Sequence, residues 1–231
     1  MARRARAFRE RRRSAKKLPP RDVTLVVCEG SETEPGYLRE ARDALRLSTA
    51  SVDLVGLGAA PSTVVDHAVR KFEQSPHYER VYCVFDRDEH ESYSASVDRC
   101  LATRKKNENG KIVQFRPITS WPCFEYWLLL HFKRSDAPIG PAGGRTAAQV
   151  ACSQLRQFIP DYTKSSGGNL RQTEGQIVQA ASDAYRFYQG AGQNPHTTIF
   201  RLLSFFAAIS SNSEVKWREG LADLARKCEE V

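Results

Sequence analysis

The chain has 231 residues, 41% hydrophobic and 27% charged, proportions that suit a globular protein able to bury a core without staples. Its net charge of +8 is unevenly held: residues 1–21 set ten Lys or Arg against the single acid Glu10, a charge of +9, which leaves −1 for the rest. No run approaches the roughly 18 apolar residues of a membrane span, and no apolar stretch follows the basic charges as in a secretory signal, so membrane and secreted classes are set aside and the cytoplasm is the expected compartment.

The basic arm comes first. Arg3, Arg4, Arg6, Arg9, Arg11, Arg12, Arg13, Lys16 and Lys17 are candidates for phosphate contacts through counterion release, with little sequence preference. The alternative is a solvated arm used for an oligomer or partner contact. Leu18-Pro19-Pro20 ends it. Val23 to Cys28 is a short apolar run, expected as a buried strand. Ser31, Thr33 and Pro35 open a helix through about Leu45, with Glu34 in capping-box spacing from Ser31. Val52 to Leu57 reads as a strand, and Pro61-Ser62 starts a helix with Val64, Val65, Ala68, Val69 and Phe72 at helical spacing. Arg80 to Phe85 is a third strand that runs straight into Asp86. Tyr93 to about Lys106 is expected as helix, Asn107 to Gly110 as a turn, and Ile112 to Ile118 as a fourth strand.

Residues 22–135 therefore read as an α/β domain with a parallel sheet and helices on both faces. Residues 136–231 read as a helical extension packed on it, with helices over 146–159, 170–189, 197–209 and 213–228. The six cysteines are scattered with no CxxC pair and are expected as buried thiols, not as a zinc site or a disulfide frame.

Ligands of open parallel sheets bind at the carboxyl ends of the strands. Glu29 follows the first strand and Asp86 the third; Asp88, two residues on, points the same way along an extended backbone. Three carboxylates brought together repel one another unless a hard divalent cation joins them, and Mg²⁺ or Mn²⁺ suits that donor set. Glu29 is then either a ligand or a general acid or base. Gly30 permits a sharp turn after Glu29. Glu34 and Glu89 add acids nearby, Glu34 being equally suited to a helix cap.

The strings Val27-Cys28-Glu29-Gly30 and Phe85-Asp86-Arg87-Asp88 resemble the Toprim signature. The fuller strings Glu29 to Pro35, Phe85 to His90 and Ser120 to Phe132, with the basic N-terminus and Asn194 to Thr198, are similar to the RloB family, related to OLD-type Toprim nucleases. Trp121 departs from it, at a position where Asn is usual. The resemblance implies a Toprim, Rossmann-like catalytic domain over 22–135. It implies a Mg²⁺-dependent endonuclease acting on RNA, tRNA included, or on DNA as an effector of prokaryotic antiviral defence. An AAA-type ATPase of the RloA kind is the implied partner, and a homodimer is compatible with it. Glu125 resembles the downstream Glu that completes the metal site of OLD-type enzymes; the plainer reading is a carboxylate at a helix N-terminus.

His131 either assists a phosphate or is a core histidine. Lys164, beside Ser165-Ser166-Gly167-Gly168, either stabilises transition-state charge or is a surface lysine. Tyr162, Thr163 and Arg171 are within sequence reach of a substrate backbone, and Phe200, Leu202, Leu203, Phe205 and Phe206 suit core or a dimer interface better than base stacking. Two rival functions stay open: a non-catalytic nucleic-acid- or nucleotide-binding partner of the ATPase, and a primase- or topoisomerase-like activity. The second lacks a zinc module and a well-placed nucleophilic tyrosine, although Tyr93 lies near the acids.

Overall fold

A computed structural model describes residues 23–49, 51–87, 91–188 and 193–229. The basic arm, with Arg3, Arg4, Arg6, Arg9, Arg11, Arg12, Arg13, Lys16 and Lys17, and the acids Asp88 and Glu89 lie outside the described residues.

The first half alternates as its periodicity requires. It runs β1 (Thr24–Cys28), α1 (Thr33–Ala44), β2 (Val52–Gly56), α2 (Pro61–Gln74), β3 (Arg80–Asp86), α3 (Tyr93–Ala102), β4 (Arg104–Lys106) and β5 (Ile112–Trp121). Next come α4 (Glu125–Leu129), α5 (Ala147–Leu155), α6 (Asn169–Thr173), a 3₁₀ turn (Glu174–Gln176), α7 (Ile177–Phe187), β6 (His196–Thr197), α8 (Ile199–Ile209) and α9 (Arg218–Glu229). The sheet order is β2-β1-β3-β5-β4, with β6 also on β5. β1, β2, β3 and β5 are parallel, whereas β4 and β6 run antiparallel to β5. The fold is mixed α/β and Rossmann-like. The chain reverses its direction of travel between β1 and β3, which makes the mouth between them the crevice where such sheets take ligands.

Alternation along the strands feeds two cores. Leu25, Val27, Val81, Cys83 and Phe85 face α2 and α3, while Val26, Cys28, Tyr82 and Val84 face the helices of the second half. That second core runs from α1 through Trp127 to Phe206 and Leu221 without interruption. The second half therefore closes one sheet face, and Phe200, Leu202, Leu203 and Phe206 are core. All six cysteines are free thiols, five of them buried. Among the described residues no helix is long and apolar enough to cross a membrane.

Three expectations need correction. The helix from Tyr93 stops at Ala102, because Arg104–Lys106 pairs with Ile112–Gln114 as a hairpin. Asn107 enforces that hairpin: its Oδ1 accepts from the backbone N of Asn109 at 3.1 Å and of Lys111 at 2.9 Å, and Gly110 takes φ +82°. Thr197 belongs to a strand, not to the helix that follows, since His196 and Thr197 pair with Trp121 and Ser120. The capping box from Ser31 to Glu34 does not form; α1 begins after Glu32 with no side-chain cap. Glu34 instead lays its carboxylate across Gly30, where an added Cβ would stand 1.9 Å from Oε2. A capping box of this type forms at α5, between Thr146 and Gln149.

Candidate functional site

Glu29 leaves β1 and Asp86 ends β3, side by side at the crevice. The backbone N of Asp86 donates to Glu29 Oε2 at 2.9 Å, so the first acid is oriented by the strand that carries the second. Asp86 Oδ2 in turn accepts from the backbone N of Phe124 at 3.0 Å, which ties the entry to α4 onto β3. The next residue, Glu125, is 1% exposed. A carboxylate at that depth needs partners, and Tyr162 donates its hydroxyl to Glu125 Oε1 at 2.9 Å. Glu125 Oε2 is buried with no partner.

Lys164 closes the far wall. Its Nζ stands 3.9 Å from Glu125 Oε1, with the side chain 66% exposed toward the opening. The loop that carries it is pinned to α1. Thr33 donates its hydroxyl to the Lys164 carbonyl, and Glu40 accepts from the backbone N of Gly168 at 2.6 Å and of Leu170 at 2.9 Å. These anchors hold a stretch whose composition suggests a flexible loop.

The cleft has a volume of about 450 Å³ and is walled by Glu29, Glu34, Glu125, Lys164 and the loop Gly58-Ala59-Ala60 after β2. Its electrostatics are those of crowded carboxylates. Burial first, then the charges of Glu34, Glu125 and Glu29, hold Asp86 well above the usual carboxylate range. Burial first, then Glu125, raises Glu34 against the lowering by its own backbone hydrogen bond and Lys164. Lys164 is pushed up, chiefly by Glu125.

The structure thus brings together Glu29, Glu34, Asp86, Glu125 and Lys164. It does not bring in His131, which is absent from the cleft wall. His131 is 5% exposed; its Nδ1 bonds the carbonyls of Trp127 and Leu128, and its ring packs edge-on to Trp127. Burial lowers it to about 4, so it is a neutral core histidine.

Sequence reasoning missed the loop after β2, the Phe124 amide and the role of Tyr162 on Glu125. The position of Gly58-Ala59-Ala60 just past a strand end was the available signal for the first. It also missed Arg87, whose guanidinium carbon lies 3.8 Å from the Trp121 ring centre and 5.4 Å from that of Tyr93. Trp121, the unusual residue of its segment, is an arginine platform.

The donor set can be weighed for a metal. Hard carboxylate oxygens in excess, mutual repulsion and one orphaned buried oxygen on Glu125 suit a hard divalent cation. Among the described residues no group of three His, Cys, Asp or Glu side chains is arranged to hold an ion, and Asp88 lies outside that description.

A family model described as RloB-like protein matches residues 24–205. The chain belongs to the RloB-like family. The RloB-like match runs from β1 into α8 and takes in Glu29, Glu34, Asp86, Glu125 and Lys164. No curated protein and no solved structure matches the chain.

Proposed function

We propose that this RloB-like protein is a metal-dependent endonuclease of the Toprim type that hydrolyses phosphodiester bonds of RNA, tRNA included, or DNA. The observation that carries the reading is a cleft lined by Glu29, Glu34, Glu125 and Lys164, with Asp86 joined to Glu29 through its backbone N–H and close enough to feel the charge of all three acids. Carboxylates so crowded that burial and one another raise Asp86 and Glu34 are costly to the fold and suit a cation.

Glu29, Asp86, Asp88 and Glu125 would hold Mg²⁺ or Mn²⁺. A bound ion of that kind polarises a phosphoryl oxygen and makes a water more acidic. The chain's own groups do the rest. Glu29, fixed by the Asp86 amide, stands at the crevice as ligand or as proton acceptor. Tyr162 is a positioning residue, setting the Glu125 carboxylate by its hydrogen bond. Lys164 offers its ammonium to the charge that develops on the phosphoryl oxygens. Glu34 keeps the cleft acidic. The basic arm, from Arg3 to Lys17, supplies salt-dependent affinity for the nucleic acid. Family resemblance extends the reading to an effector of antiviral defence working with an AAA-type ATPase.

The test incubates the pure full chain with Mg²⁺ or Mn²⁺ and total tRNA, mRNA and plasmid, with chelator as control. Cleavage that the chelator stops supports the reading. No cleavage of any of the three, alone or with the ATPase present, would replace it with a non-catalytic binding partner.

A further inference from the structure

A second cavity, of about 500 Å³, shares no lining residue with the carboxylate cleft. It lies at a notch in the sheet edge. On its outer side β5 pairs with β4 over Ile112–Gln114 and with β6 over Ser120–Trp121. Between them, among the described residues, no strand covers Arg116, Pro117 and Ile118. Pro117 has no N–H to leave unpaired, which suits an open edge.

The lining is basic and apolar together. Arg80, Arg116 and Arg201 contribute cations, and no carboxylate stands among the described lining residues. The Arg201 guanidinium carbon lies 5.0 Å from the Tyr188 ring centre and 5.8 Å from that of Phe200. The Arg80 carbon lies 4.7 Å from that of Phe205, whose ring also pairs with Tyr82. A guanidinium laid face-on to a ring still presents its in-plane N–H groups at the rim, where they match phosphate oxygens. Leu101, 45% exposed, and Val97 form an apolar wall beside these cations.

We propose that this notch binds a nucleoside monophosphate, with its phosphate on Arg116 and Arg201 and its base against Leu101, Val97 and Phe205. Bare phosphate would leave the apolar wall wet, and an uncharged aromatic would leave the arginines unmatched. The volume falls within the range of about 300–1,000 Å³ typical of small-molecule sites, and is too small for a duplex. The assignment does not rest on the nuclease reading.

The test is calorimetric titration of the full chain, in chelator, with adenosine monophosphate, inorganic phosphate and a 5′-phosphorylated oligothymidylate. Saturable one-to-one binding of adenosine monophosphate is expected, with inorganic phosphate weaker by about tenfold or more. Arg116→Gln with Arg201→Gln should weaken it by at least about tenfold, the loss of charge-assisted hydrogen bonds from two exposed side chains. Leu101→Trp, which fills the notch and keeps both arginines, should weaken it similarly. No binding of adenosine monophosphate, binding no tighter than that of phosphate, or binding unaltered in both variants overturns the proposal. So does variant-sensitive binding of the oligonucleotide alone.

Discussion

The acidic site takes its carboxylates from the carboxyl ends of β1 and β3 and from the first turns of α1 and α4, whereas the arginine notch takes its charges from within β3, β5 and α8. In the cleft, acids far apart in sequence meet because parallel strands all present their C-terminal ends to one crevice. At the notch, cations meet because a sheet edge is interrupted and α8, from the second half, lines the cavity beside the gap. The first arrangement follows from topology. The second follows from where two short antiparallel strands stop.

The sharpest way to break the contrast is at the cleft. Asp86→Ala with Asp88→Ala should lower cleavage by about 10³-fold or more, the several kcal/mol of charge stabilisation that a held cation supplies. The same variant should bind adenosine monophosphate as the parent does. Gel assays on tRNA and plasmid read the first effect and calorimetry the second; a pure double variant that still cuts sinks the nuclease reading. Lys164→Ala comes next. It should cost about 10²-fold in kcat with little change in KM, as for loss of one donor to a developing anion. A rise in KM alone would make Lys164 a substrate-binding residue.

Gly30→Ala should cost between about 10- and 100-fold in kcat, because its Cβ must displace the Glu34 carboxylate from 1.9 Å. The atom it meets ends a flexible side chain, so thermal stability should move little, and an unchanged rate would remove Glu34 from the site. The smallest effect concerns the core beside the cleft. His131 has its folded pKa lowered to about 4, so its contribution is complete above the unfolded value and is lost as pH falls from about 6.5 toward 4. His131→Phe should remove up to about 3 kcal/mol of that acid loss in urea unfolding and leave cleavage at pH 7 unaltered. A fall in cleavage would return His131 to the site.

Much of this was readable from residues alone. The run Val23 to Cys28 ahead of Glu29, and Arg80 to Phe85 ahead of Asp86, locates both acids at strand ends. The hairpin at Asn107 was not readable, because Arg104 to Lys106 has helical composition and becomes strand only when β5 offers it an edge. Glu34 looked like a cap because capping is a local pattern; the open space above Gly30 that draws it away is a matter of packing.

The sequence by itself determined the α/β alternation, the two strand-end acids and the continuous apolar runs of the buried strands. These rest on periodicity and neighbour spacing, which are properties of a linear chain. Only the tertiary structure decided that Glu125 and Tyr162, 37 positions apart, share a hydrogen bond, that Lys164 hangs over the cleft by way of Thr33 and Glu40, and that His131 turns into the core. Those outcomes depend on how the second half folds back over one sheet face to bury its apolar helices, and no local pattern encodes that return.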